Sequence, residues 1–153
     1  MNDLALGGGF DWVEELQLSE VRLLHLARLA DSPILDRLTC LDLSRNPFGD
    51  NGLEQIGRSS RLIALRELRL AGNRLTSRGA HELAGWAQLE GLFRLDLANN
   101  LINDRGALAL ARSEHLDELT GLDLRDNRIN SEGIAALQSR FGDKVRLGRR
   151  RER

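Results

Sequence analysis

Residues 92–106 read LFRLDLANNLINDRG, and the same phrase recurs as LTCLDLSRNPFGDNG from Leu38, LRELRLAGNRLTSRG from Leu65 and LTGLDLRDNRINSEG from Leu119. The first Leu, the L-x-L pair, the Asn and the Gly agree in all four copies, and the copies follow one another every 27 residues. Self-similarity at a fixed period of this length marks a solenoid, in which each unit buries its apolar face only by stacking on its neighbours.

Each copy divides into two halves. In L-x-x-L-x-L the pairs Leu41/Leu43, Leu68/Leu70, Leu95/Leu97 and Leu122/Leu124 alternate with polar residues at the period of a strand, so these leucines point inward. The second half begins at Asp50, Ser77, Asp104 and Ser131, read as a column of helix caps, because their side-chain oxygens can accept from the free amides of a first helical turn. The helices that follow carry apolar stripes at three- and four-residue spacing: Leu53 and Ile56; Ala80, Leu83 and Ala84; Ala107, Leu110 and Ala111; Ile134 and Leu137. Small residues near each helix start permit close packing. Between the halves stand Asn46, Asn73, Asn100 and Asn127. An amide there both donates and accepts, which predicts a buried asparagine ladder serving backbone groups that no sheet partner reaches.

The ends deviate as terminal repeats do. Val13-x-x-Leu16-x-Leu18 repeats the strand pattern, with Val21 in the asparagine position and a helix-like stretch from Val21 to Ala30. Val145-x-Leu147 offers a last short strand that would cover the sheet edge before it. The domain reading is therefore a lead-in over 1–12, a repeat domain of about five repeats plus a terminal strand over 13–147, and a basic tail over 148–153. Trp12 reads as an N-terminal lid and Trp86 as a packing residue on the helix side.

The pattern L-x-x-L-x-L-x-x-N-x-[FLI]-x-[DS]-x-G resembles the leucine-rich repeat in its long, helix-containing version, similar to that of ribonuclease inhibitor. The resemblance implies an α/β solenoid shaped as a horseshoe arc, with a parallel sheet of short strands on the concave side and helices on the convex side. The strict period and the run SEHLDELTGLDL resemble bacterial tandem-repeat proteins more than the cysteine-rich animal inhibitor. Function is not implied beyond an interaction scaffold, since one fold hosts many roles.

Composition narrows the classes. Among 153 residues, 41% are hydrophobic, 4% aromatic and 29% charged, with no Tyr and two Trp, so one domain with an aliphatic core is expected. The net charge is -1. Residues 144–153 hold six basic residues against Glu152, which leaves the body at -6. That body has no basic field for phosphates, and nucleic acid is expected as a partner only through the tail; with no aromatic residue among its arginines, the tail offers no stacking platform. A single Cys40 forbids an internal disulfide and fits a reducing compartment, read as the cytoplasm. No apolar run approaches a membrane span, and Met1–Gly9 has no secretory pattern.

No constellation suggests catalysis, a metal or a cofactor, and the chain is expected not to be an enzyme. His25, His81 and His115 fall in different columns, and Cys40 has no neighbouring base. Gly7-Gly8-Gly9 has no preceding strand and no G-K-[ST] after it. Asp96 beside Asp123 is a like-charge pair able in principle to raise one carboxyl or hold a cation, yet an ordinary charged solenoid surface is the stronger reading. The candidate binding surface is the concave face: Asp42, Glu67, Arg69, Phe93, Arg94, Asp96, Asp123 and Arg125. Across strands, Asp42, Arg69 and Asp96 alternate in sign, as do Glu67 and Arg94, so lateral pairing consumes part of that charge. The arginines and Phe93 are the residues of hot-spot type. The leading expectation is a monomeric scaffold for an unidentified partner protein. The alternatives are a structural segment of a larger protein, or a regulator of an enzyme such as a small GTPase or nuclease.

Overall fold

The computed structural model describes residues 13–21 and 26–148. Six short strands, β1 (Glu15–Gln17), β2 (Cys40–Asp42), β3 (Glu67–Arg69), β4 (Arg94–Asp96), β5 (Gly121–Asp123) and β6 (Val145–Arg146), pair in chain order as one parallel sheet. The intervening helices are α1 (Ala27–Ala30), α2 (Gly49–Gly57), α3 (Ser77–Ala84), α4 (Asp104–Ala111) and α5 (Ser131–Phe141). Strand register follows the repeat, with Leu41, Leu68, Leu95 and Leu122 as successive neighbours. At the ends, Leu16 meets Leu41 and Val145 meets Leu122, so the degenerate terminal strands do extend the sheet.

The eight L-x-L leucines are at most 1% exposed. So is a column that the sequence reading did not single out, Leu35, Leu62, Leu89 and Leu116, three residues before each opening leucine. Each fully buried leucine contributes about 1.5–3 kcal/mol of apolar transfer, which makes this continuous leucine stack the main stabilising element. Helix stripes close it from the other side through Leu53, Ile56, Ala80, Leu83, Ala107, Leu110 and Leu137, while Ala84, Ala111 and Ile134 are only half-buried.

The asparagine ladder forms. Asn100 Nδ2 donates to the carbonyls of Leu97 and Ala98 in its own turn and of Leu70 one repeat back, while its Oδ1 accepts from Asn73 and Leu75 amides. Asn46 and Asn73 are likewise buried, and Asn46 N donates to Asn73 Oδ1 at 2.7 Å. Asn127 is half-buried and accepts from Ile102 N. The residue before each asparagine is left-handed, at φ 59° for Arg45, 70° for Gly72, 53° for Asn99 and 57° for Asp126. This conformation disfavours a side chain by about 1–2 kcal/mol. In return each of these amides donates to the next repeat, as Arg45 N does to Ala71 O.

Two expectations are corrected. The caps are not the Asp50/Ser77/Asp104/Ser131 column: α3 and α4 are capped one residue earlier, where Thr76 and Asn103 side chains accept from Arg78 and Arg105 amides, while Phe48 and Asn130 precede α2 and α5 without a side-chain cap bond. The column itself stitches neighbouring repeats instead. Asp50 accepts from Thr76 N at 2.8 Å, Ser77 Oγ from Asn103 N at 3.0 Å, and Asp104 from both Asn130 N and Gly133 N. A Cβ on Gly133 would stand 2.6 Å from Asp104 Oδ1 and one on Gly79 2.5 Å from Asp50 Oδ1, so this approach explains the glycine in those two repeats, while Gly52 and Gly106 make room for Phe48 and Ile102. In the helix-like stretch read from Val21 to Ala30, Val21 itself is exposed in a bend and α1 covers Ala27–Ala30, while residues 22–25 lie outside the described residues. Trp12, His25, Gly7–Gly9 and the arginines beyond Gly148 lie outside the described residues. Trp86 is buried in the core against Gly57, as read.

Candidate functional site: the sheet face

Residues alternating with the inward leucines share one face because the strands run parallel and in register. Arg69 lies between Asp42 and Asp96, and Glu67 lies beside Arg94. Geometry then decides which charges cancel. Arg69 Nε donates to Glu67 Oε1 at 2.6 Å, and its Nη1 is 3.7 Å from Asp42 Oδ2. The hydrogen bond to Glu67 raises the Arg69 pKa, outweighing the opposing effect of burial. Part of the lateral pairing is thus present, with the tightest contact along Arg69's own strand.

The three aspartates of the face also serve the backbone. Asp42, Asp96 and Asp123 each accept through Oδ1 from the amide two residues on, at 2.9, 2.9 and 3.1 Å. Asp42 is consequently 7% exposed and offers little surface. Asp96 and Asp123 are register neighbours, yet neither a raised carboxyl at Asp123 nor a shared cation is needed to reconcile them. Burial alone would push the Asp123 carboxyl up, but side-chain and backbone hydrogen bonds from Arg125 prevail and hold it below its ordinary value of 3.8. Arg125 grips both carboxylate oxygens of Asp123.

After this pairing one area stands open. The Arg94 side chain is 71% exposed, and Glu67 Oε2 is 3.9 Å away, beyond a hydrogen bond. Phe93 is 43% exposed, and the Arg66 guanidinium lies 5.6 Å from its ring centre. Sequence reasoning named Phe93 and Arg94 but missed Arg66; the signal was its place immediately before β3, one repeat from Phe93. Gly121 sits beside Arg94 in register, and a Cβ there would meet only the Arg94 side chain, at 3.7 Å. The outcome is an aromatic ring and two arginines beside a bare stretch of backbone.

Chemistry is not favoured elsewhere on this face. Cys40 is half-exposed, and burial, reinforced by Glu67, raises its thiol pKa, so it is a poor nucleophile. His115 is bound to Glu90, and His81 lies exposed on α3. Among the described residues no three His, Cys, Asp or Glu side chains gather into a metal-binding group. No helix among them is long and apolar enough to cross a membrane.

The sequence pattern of the family described as Leucine Rich repeat matches residues 38–57, 64–84, 92–111 and 119–137, just over half of the chain, and the chain belongs to this family. Domains of this family generally mediate protein–protein interaction. Similar solved structures include leiomodin-1 actin-binding site 2, at 17% identity and a TM-score of 0.49 over 92% of this chain and 72% of that one. A Listeria monocytogenes internalin is similar at 18% identity and a TM-score of 0.48, over 86% of this chain and 39% of the internalin. Comparison with curated proteins gave no match.

Proposed function

We propose that this chain is a scaffold that holds a partner protein on its concave sheet face, with Phe93 and Arg94 as the anchor. The observation that carries the reading is the exposed Phe93 ring flanked by Arg66 and Arg94, on a face whose other charges are largely engaged. Aromatic and arginine side chains supply most of the energy of protein interfaces, and exposed guanidinium groups favour a partner segment that carries carboxylates beside an apolar residue. Asp42, Glu67, Arg69, Asp96, Asp123 and Arg125 fix the charge pattern around the anchor. The single Cys40 and the run SEHLDELTGLDL support a cytoplasmic and bacterial setting, and the reading takes the scaffold to be a monomer.

Affinity capture from lysate of the source organism tests it, comparing wild type with Phe93→Ala/Arg94→Glu. Both residues are exposed, so the variant should keep the wild-type urea midpoint. A protein held by the wild type and lost by the variant is the expected result. Equal recovery from both would refute the anchor.

A further inference from the structure

The helix side carries a groove whose lining departs from the repeat. Between α3 and α4 lies a cleft of about 550 Å3 lined by Arg105, Leu108, Ala109 and Arg112 from one wall and His81, Ala84 and Gly85 from the other, with Ser113, Glu114 and His115 at one end. Small-molecule sites commonly span roughly 300–1,000 Å3. The repeat itself shows why this groove is open. Position 113 falls in a column with Ser59, Trp86 and Arg140. Between α2 and α3, Trp86 lines a smaller groove and packs so closely that a Cβ on Gly57 would lie 2.1 Å from its ring. Beside α5, Arg140 reaches back to Ser113 O and Asp117. Ser113 turns its small hydroxyl onto Ala84 O at 2.6 Å, as Ser59 does onto Ala30 O, and puts no long side chain into the space between α3 and α4.

The charges of this groove also depart from the repeat. Arg78, one repeat before Arg105, lies 3.7 Å from Asp50 and 3.8 Å from Glu82, and donates to Asn51. The positions that would serve Arg105 in the same way are Ser77, Ala109 and Arg78, none of them acidic. Arg58, two repeats before Arg112, bonds Glu54 at 2.6 Å; the equivalent of Glu54 is Leu108. Both guanidinium groups therefore lack an ion-pair partner among the described residues, while their counterparts one or two repeats earlier have one. The adjoining cleft, of about 420 Å3, sets Glu54 and Glu82 against Arg58 and has no excess of positive charge.

We infer that the α3–α4 cleft binds a phosphate monoester, held between Arg105 and Arg112 with its organic part over Leu108 and Ala109. The two arginines are two turns apart on α4, about 10 Å along the axis, within the joint reach of their side chains. Their planar forks match tetrahedral and planar anions alike. Two fixed positive charges favour a dianion over a monocarboxylate, and His81 and His115 add donors on the rim. Glu114, also on the rim, opposes binding and limits affinity.

Titration calorimetry of the full chain at low ionic strength with phenyl phosphate tests this inference. Saturable one-to-one binding is expected, at least about tenfold tighter than benzoate, and weakened at least about tenfold by Arg105→Ala or Arg112→Ala. Both arginines are exposed, so unchanged urea midpoints will show that the variants fold. Phe93→Ala/Arg94→Glu should bind phenyl phosphate as the wild type does, so loss of either site is told apart from loss of the other. A phosphoserine peptide bound more tightly than phenyl phosphate would make the source a modified protein; weaker binding would make it a free metabolite. No saturable heat with either probe, equal affinity for benzoate, or binding that survives both arginine substitutions overturns the inference.

Discussion

The asparagine turns and the sheet face lie only a few residues apart in every repeat, yet they differ in what varies. Asn46, Asn73, Asn100 and Asn127 repeat one bonding scheme along the stack. On the sheet face the column 42, 69, 96, 123 reads Asp, Arg, Asp, Asp, and 40, 67, 94, 121 reads Cys, Glu, Arg, Gly. The first region has no freedom, because each amide closes backbone groups of two repeats at once and any other side chain strands them. The second has freedom because strand pairing uses only the backbone. Architecture is therefore held by columns that repeat, and individuality by columns that do not.

The largest effect expected from this contrast is at Asn100. Asn100→Leu removes the donor to three carbonyls and the acceptor for two amides, in a site that is 4% exposed. Leu97 O and Ala98 O keep Asn127 Nδ2 and Gly72 N as donors, so Leu70 O, Asn73 N and Leu75 N are stranded. At about 1–3 kcal/mol for each, a loss of about 3 kcal/mol or more is expected in urea unfolding. Asn127→Leu, at the half-buried end of the ladder, should lose less than half as much. Equal losses would mean that the ladder is not cooperative along the stack.

Two glycines give the next contrast. Gly133→Ala places a methyl 2.6 Å from Asp104 Oδ1 and 2.9 Å from Ala107 Cβ, and a loss of about 1–3 kcal/mol is expected from overpacking. Gly121→Ala on the sheet face meets only a flexible side chain and should stay within about 0.5 kcal/mol of wild type. Urea midpoints of the two variants check this, and a reversal of their order would break the distinction between stacked and open columns.

A smaller effect depends on pH. The Asp123 carboxyl is held below its ordinary value in the folded chain. Its stabilisation is therefore fully present above the unfolded carboxylate pKa, near 4, and is lost as pH falls through the lower folded value. Arg125→Gln removes the side-chain hydrogen bonds that depress it. The variant should be less stable than wild type at pH 7, with the gap narrowing below about pH 4. A gap that stays constant between pH 7 and pH 3 would show that Arg125 acts through packing alone.

Most of the fold was legible in the sequence because it resides in repeating columns: strand leucines, register, asparagine ladder and terminal strands. What escaped depends on contacts between repeats. Asp50 and Asp104 have the chemistry of helix caps, and only the structure shows that their oxygens face the following repeat. Arg45 and Asp126 carry no glycine-like sign of their positive φ. On the candidate face, the pairing of Arg125 with Asp123 two residues away, and of Arg69 with Glu67, was hidden because sequence gives the register but not the rotamer. The cleft at Ser113 is legible only after Ser59, Trp86 and Arg140 are recognised as members of its column.

The most direct test of the central claim, that the repeating columns hold the fold while Phe93 and Arg94 hold a partner, is to measure stability and partner affinity on the same protein, Phe93→Ala. The account predicts a urea midpoint within about 0.5 kcal/mol of wild type, together with affinity for the captured partner reduced at least about tenfold. An unchanged affinity would contradict it.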